Sequence, residues 1–302
     1  MRRNRTESPL NLPLRSRFQD EDKQVKIWIP GCKGLLGRYV CEQSKKDHQL
    51  IGTDIEVDVT KSLDKFLKKI NPEAVVYCAA YKDSDKCEAN EKIAYKTNAV
   101  AIQKIYKFNP NILFIYPSTA SVFCEKKLYK ETDHPSVECV YSRTKVLAEG
   151  LIQSFNRHYI LRLSNLYGWG QQNFATWIYA SAKNMVPPVK VTTDMVCQPT
   201  NSFHVAECIG KLLQEKPPFG TYHLCTPEKI TRKEFAERLY KQMGIEKLYP
   251  FEKITLADLN LPAKRPVHAV LDCSKWEKLM GNLPTHEEGI RRFLNERQKV
   301  LS

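Results

Sequence analysis

From Val25 onward, short apolar runs alternate with longer stretches of helical periodicity. Val25-Lys26-Ile27-Trp28-Ile29 has the length and the branched, aromatic content of a strand buried on both faces. Glycines follow it, then an amphipathic stretch running to Lys45, which predicts a turn and a helix. Gln49 to Thr53 predicts a second strand. Ser62 to Ile70 reads as a helix from the spacing of Leu63, Phe66, Leu67 and Ile70, and Asn71-Pro72 stops it. Ala74 to Cys78 predicts a third strand, Glu91 to Lys107 a helix, and Ile112 to Tyr116 a fourth strand. Tyr141 to Asn156 predicts another helix and Tyr159 to Leu163 a fifth strand. Strands alternating with helices of this length predict an α/β protein, a Rossmann-type doubly wound parallel sheet with right-handed crossovers.

After Leu166 the alternation loosens. Pro187, Pro188, Pro217, Pro218, Pro250 and Pro262 punctuate shorter elements, with helices predicted near Phe203–Gln214 and Thr231–Met243. This predicts a dinucleotide-binding domain over 25–165 and a smaller α/β substrate-binding region over 166–302, partly interleaved with the first. Residues 1–24 differ from both: Arg2, Arg3, Arg5, Arg15 and Arg17 alternate with Pro, Asn and Ser before an acidic patch. With no apolar core this is not a secretory signal; an Arg-rich, acid-poor opening is open to reading as a transit sequence, and a disordered basic tail is the expectation.

Composition narrows the function. No stretch approaches the roughly 18 consecutive apolar residues that a membrane helix needs, so a soluble protein with no membrane association is expected. The ten cysteines form no C-x-x-C pair and the seven histidines show no metal-ligand spacing beside them. Reduced thiols in the cytoplasm are expected, and no metal site. The net charge of +13 raises the question of nucleic acid, but Lys45, Lys46, Lys68, Lys69, Lys126 and Lys127 are scattered without an aromatic-interleaved stripe. No nucleic-acid partner is expected. A positive field also draws in doubly charged sugar diphosphates.

Candidate chemistry begins at Pro30-Gly31-Cys32-Lys33-Gly34-Leu35-Leu36-Gly37, a G-x-x-G-x-x-G loop between the first predicted strand and helix. Gly31, Gly34 and Gly37 would let the backbone turn sharply and bring a cofactor pyrophosphate, beside Leu35 and Leu36, to the free N–H groups of the helix start. Asp54 ends the second strand, where a carboxylate can bind adenosine ribose hydroxyls, which favours NAD. Arg38 could instead attract a 2′-phosphate, leaving NAD against NADP open.

Tyr141 and Lys145 stand four apart and so share a helix face. A lysine ammonium one turn from a phenol favours phenolate and would bring it into range for acid–base work. Pro117-Ser118-Thr119-Ala120-Ser121 ends the fourth strand, and carboxyl strand ends face the ligand crevice of an open parallel sheet. A Thr119 hydroxyl could meet Tyr141 there.

The glycine loop, the strand-end hydroxyl and Tyr-x-x-x-Lys, in that order, resemble the extended short-chain dehydrogenase/reductases. Within them the chain is most similar to the dTDP-4-dehydrorhamnose reductases over about residues 25 to 295. Asp58-Val59-Thr60, Asn71-Pro72-Glu73-Ala74-Val75-Val76, Cys78-Ala79-Ala80-Tyr81, Asp85-Lys86-Cys87-Glu88 and Lys264-Arg265-Pro266 carry the likeness. The resemblance implies an NAD(P)H-dependent reductase of a nucleotide-linked 4-keto-sugar. It makes Tyr141 the general acid, Lys145 the residue that binds the nicotinamide ribose and lowers the Tyr141 pKa, and Thr119 the residue that orients the substrate oxygen. Asn98 would complete the proton-relay shell. Asp58 and Val59 would meet the adenine, and Ala79 and Ala80 the ribose path. Arg265 could hold the substrate diphosphate bidentately or form a surface salt bridge, and a homodimer is possible by analogy.

Two departures fall in the substrate-binding positions. The rhamnose reductases usually carry Asp-Tyr after the catalytic hydroxyl, where this chain has Ala120-Ser121, and Trp after the fifth strand, where it has Asn165. Both resemble nucleotide-sugar epimerases instead. An epimerase therefore stays open, as does a non-catalytic NAD(P)-binding subunit similar to the regulatory β-subunit of methionine adenosyltransferase.

Overall fold

The computed structural model describes residues 24–184, 189–245 and 251–301. Apart from Gln24 the basic tail lies outside the described residues, as do Pro187, Pro188 and Pro250. The first half supplies β1 (Lys26–Pro30), β2 (Gln49–Thr53), β3 (Ala74–Val76), β4 (Leu113–Thr119), β5 (Leu128–Tyr129) and β6 (His158–Leu163). The second half supplies β7 (Leu166–Tyr167), β8 (Val189–Thr192), β9 (Val196–Cys197), β10 (Thr200–Asn201), β11 (Gly220–His223), β12 (Ile230–Thr231), β13 (Phe251–Ile254) and β14 (Val270–Leu271). Six of these form one sheet in the order β11-β6-β4-β3-β1-β2, every pairing parallel. The expected doubly wound parallel sheet is present, and its strand order reverses once, between β1 and β3. The crevice opens at that reversal.

Helices cover both faces: α1 (Leu35–Ser44), α2 (Asp64–Ile70), α3 (Ser84–Ala89), α4 (Glu91–Tyr95), α5 (Ala101–Phe108), α6 (Val140–Ile152), α7 (Phe174–Lys183), α8 (Ser202–Glu215), α9 (Arg232–Gln242), α10 (Ser274–Met280) and α11 (His286–Leu301). Alternate residues along each strand feed opposite layers. Ile27, Ile29, Val76 and Ile115 pack with Leu36, Tyr39, Ile209 and Trp276 from α1, α8 and α10. Trp28, Val75, Phe114 and Tyr116 pack with Leu67, Ile102, Ile105 and Ile152 from α2, α5 and α6. A third cluster unites Tyr179, Val191, Phe235, Leu239 and Phe293, from α7, β8, α9 and α11. The chain after Leu166 thus builds that cluster and also returns to the main sheet through α8, β11 and α10.

Two elements differ from their expected form. The predicted helix over 91–107 opens into a π turn at Lys96–Val100 between α4 and α5. That wider turn lets Asn98 bond across to Tyr81 and Thr144. β4 continues past Tyr116 to Thr119, its Pro117-Ser118-Thr119 segment paired with Leu161–Leu163 of β6. Pro, Ser and Thr carry turn propensity; the register with β6 overrides it and carries Thr119 to the crevice, at the strand end where the sequence put it.

Candidate active site

At the carboxyl end of β1 the chain enters the glycine loop. Gly31 has φ +80°, and the N–H groups of Gly31 and Cys32 both donate to the Thr53 carbonyl, at 2.7 and 3.0 Å. A Cβ on Gly31 would come within 2.6 Å of the Ala79 nitrogen, so the loop and the segment after β3 pass in backbone contact. Gly37 is as tightly constrained, since its Cβ would lie 2.1 Å from the Gly31 carbonyl oxygen. The two glycines differ in place. Gly31, Gly34, Leu35 and Leu36 line a cleft of 760 Å³, whereas Gly37 sits behind the loop and seats α1 against it. Of the three glycines expected around a pyrophosphate, Gly31 and Gly34 line the cleft and Gly37 packs against the loop.

The N-cap of α1 is Gly34, and no side chain caps its first turn. Free N–H groups, a positive dipole end and a glycine cradle that a Cβ would fill fit the pyrophosphate of a dinucleotide. Asp54, Asp58, Val59, Ala79 and Ala80 line the same cleft. Asp54 accepts the Lys33 N–H at 2.9 Å, so this carboxylate braces the loop while facing the cleft. Asp58 accepts the Thr60 N–H and hydroxyl, bonds that hold its carboxyl below the usual range. Arg38 turns away: its guanidinium lies 3.9 Å from Glu296 and 4.9 Å from the centre of the Tyr39 ring.

Deeper in the cleft, Thr119 ends β4, while Tyr141 and Lys145 project from the first turns of α6. The Thr119 side chain stands beside the Tyr141 phenol and pulls its pKa down, and the Thr119 hydroxyl accepts the Ser121 N–H at 3.1 Å. The Lys145 ammonium donates to the Pro117 carbonyl at 2.7 Å and stands 3.9 Å from the centre of the Tyr116 ring. The expected electrostatics are corrected here. Burial pushes Tyr141 up to about 12, against a smaller downward pull from Thr119. Burial pushes Lys145 down to about 7, partly offset by the Glu149 carboxylate. Removing both groups from water penalises phenolate and ammonium alike. At neutral pH Tyr141 is a protonated phenol.

Asn98 makes three side-chain hydrogen bonds within the protein. It accepts the Tyr81 N–H at 2.8 Å and donates to the Tyr81 carbonyl and the Thr144 hydroxyl, at 3.1 and 2.9 Å, while its neighbour Thr97 lines the cleft. It ties the segment after β3 to the helix carrying Tyr141. Arg265 lines the cleft but is gripped by Asp85 in two bonds of 2.9 and 2.7 Å, with a third to the Ala263 carbonyl at 2.7 Å. Its pairing is within the protein, as the salt-bridge alternative anticipated. Ala120, Ser121 and Asn165 line the cleft, Asn165 with φ +41°.

The sequence reading missed several groups. Glu149, one turn beyond Lys145, is buried and pairs with Arg162 at 2.8 Å, while accepting the Ser118 hydroxyl. Lys82 donates to Gln171 at 2.8 Å, joining the two halves at the cleft wall. Arg232 opens α9 and lines the cleft. Only the i, i+4 spacing of Lys145 and Glu149 was visible beforehand; the partners come from distant strands.

A profile of the RmlD substrate binding domain family matches residues 25–299. The chain belongs to this family. Among curated RmlD-like relatives, a probable low-salt glycan biosynthesis reductase of Haloferax volcanii is 28% identical over 288 residues, covering 87% of this chain and 95% of the relative. The dTDP-4-dehydrorhamnose reductase of Salmonella typhimurium is 26% identical over 255 residues, covering 78% and 83%. The crystal structure of a dTDP-4-dehydrorhamnose reductase from Clostridium acetobutylicum superposes with a TM-score of 0.83 at 29% identity, covering 90% of this chain and 99% of that one. The Bacillus anthracis reductase, crystallised with NADP, shares the fold with a TM-score of 0.85 at 23% identity, covering 91% and 100%. Among the described residues of this family member, no helix is long and apolar enough to cross a membrane.

Proposed function

We infer that the protein is an NAD(P)H-dependent reductase of a nucleotide-linked 4-keto-sugar. The observation that carries this is the half-buried Tyr141 phenol, beside Thr119 in the cleft that the glycine loop also lines and held protonated by its surroundings. Gly31, Gly34 and the start of α1 would hold the dinucleotide pyrophosphate, and Asp54 and Asp58 its adenosine end. When bound, the cofactor supplies the hydride. Tyr141 delivers the proton that the reduced oxygen needs, and Thr119 orders that oxygen against the phenol. Lys145, anchored by the Pro117 carbonyl, would hold ribose hydroxyls and recharge the phenol. Asn98 acts through position, fixing α6 relative to the segment after β3.

Two wider readings accompany this. Exposed Ile93, Val100 and Leu147 lie on α4, the π turn and α6, a face that supports a homodimer; light scattering would test it. Ten free thiols support a cytoplasmic setting.

The test is a screen of NADH and NADPH oxidation with dTDP-, GDP- and UDP-linked 4-keto-sugars, in the wild type and Tyr141→Phe. Stoichiometric oxidation is expected, and the variant should lose about 10²- to 10⁴-fold in turnover while keeping its dinucleotide affinity. Sugar conversion without net oxidation would establish an epimerase instead. A lack of turnover with every sugar, together with a co-purifying transferase, would establish a regulatory subunit.

A further inference from the structure

Two arginines of the C-terminal half line the cleft, and the fold treats them oppositely. Arg265 has its charge met by Asp85 and its donors taken up by Asp85 and the Ala263 carbonyl. Arg232 has no such partner. Its Nε is buried without a hydrogen bond, and among the described residues no carboxylate pairs with it. The nearby acid on its own helix, Glu234, is committed to the Thr231 capping box. Cys197 across the β9–β12 pair is a buried thiol pushed up to about 11, so it carries no charge at neutral pH.

The side chain is held in place all the same. The Thr231–Val196 rung and a bond from the Arg232 N–H to the Met195 carbonyl, at 3.3 Å, fix its backbone. Its guanidinium lies 5.0 Å from the centre of the Phe174 ring. Leaving a buried guanidinium donor unmet costs stability unless a ligand meets it. Arg232 and Arg265 influence each other electrostatically, and Asp85 balances only one of them. This part of the cleft therefore carries one uncompensated positive charge with free planar donors, which suits a phosphate group rather than a neutral sugar hydroxyl.

We propose that Arg232 is the anion-recognition residue in the substrate half of the cleft and takes the diphosphate of a nucleoside diphosphate sugar, a role the sequence reading had offered to Arg265. The proposal rests on the reading of this cleft as a sugar-nucleotide site, and deepens it by naming the group that grips the substrate far from the reacting carbon.

Direct binding of dTDP and UDP, neither of which carries a reducible sugar, tests this by calorimetry on the NADH-loaded protein, using wild type, Arg232→Met and Arg232→Lys. The wild type should bind a nucleoside diphosphate with an affinity that falls as salt rises. Arg232→Met should weaken it about 30-fold or more, Arg232→Lys should fall between, and NADH affinity should hold in both. Wild-type binding that persists in a folded, NADH-binding Arg232→Met, or in Arg232→Lys should the methionine variant not fold, overturns the assignment to Arg232 and leaves the reductase reading intact. A wild type that binds NADH but neither nucleoside diphosphate overturns both.

Discussion

Lys145→Met tests the electrostatics of the site without needing a substrate. Lys145 falls from its ordinary 10.5 to about 7 because burial strips water from the ammonium, while Glu149 offsets only part of that penalty. Between about pH 7 and pH 10 the unfolded chain holds a proton that the native protein has released, so the native state gains stability as pH rises through that window. Below pH 7 both states are protonated and the full desolvation cost stands. At about 1.4 kcal/mol for each pH unit between the two values, that cost is about 4 to 5 kcal/mol. Methionine is similar in length and carries no charge, so the variant escapes this term at every pH. It also strands the Pro117 carbonyl, a penalty of about 1–3 kcal/mol that does not change with pH.

The informative quantity is therefore how the stability gap between the two proteins moves. Urea unfolding of both at pH 6, 8 and 9.5 should show the gap shifting toward the wild type by about 3 to 4 kcal/mol from the lowest to the highest pH. Other titrating groups are common to both proteins and cancel. A gap constant within about 1 kcal/mol would refute the claim that a buried, half-neutral Lys145 sits in this cleft. Turnover should collapse in the variant at every pH, because stability lost to this ammonium is retained for function.

The remaining predictions concern the cofactor half. Gly37→Ala drives a Cβ to 2.1 Å from the Gly31 carbonyl, which cannot move without breaking its loop, so NADH affinity should drop at least tenfold and thermal stability with it. Gly210→Ala in α8 meets nothing within 4 Å and should instead stabilise by about 0.5–1 kcal/mol; equal melting temperatures for the two variants would contradict this packing account. NADH should bind about tenfold tighter than NADPH, because the Asp54 carboxylate, which lines the cleft, would repel a 2′-phosphate at the ribose end while Arg38 is turned toward Glu296. Fluorescence titration showing tighter NADPH, or an Asp54→Asn variant that leaves the ratio unchanged, would remove that argument. Thr119→Val keeps the shape at the end of β4 but removes the hydroxyl beside Tyr141, and kcat should fall about 10- to 100-fold with dinucleotide affinity unaltered, as measured in the same titration.

Local pattern was sufficient for much of this molecule. The apolar runs of β1, β2 and β6, the i, i+4 placement of Tyr141 and Lys145, and the strand–glycine–helix order of Gly31 to Gly37 depend on near neighbours in the chain, so periodicity and turn chemistry exposed them directly. What the sequence could not decide was where charge ends up after burial. Tyr141 is raised rather than lowered, Lys145 loses half its charge, and Asn98 is spent on Tyr81 and Thr144, because desolvation and long-range partners exist only once α6 lies on the sheet. The two arginines make the same point. The sequence singled out Arg265 and gave no sign of Arg232, yet Asp85, 180 residues from Arg265, neutralises that one and leaves Arg232 open to a ligand. Electrostatic fate belongs to the tertiary structure because it is set by distance and by exclusion of water, and neither quantity is local in sequence.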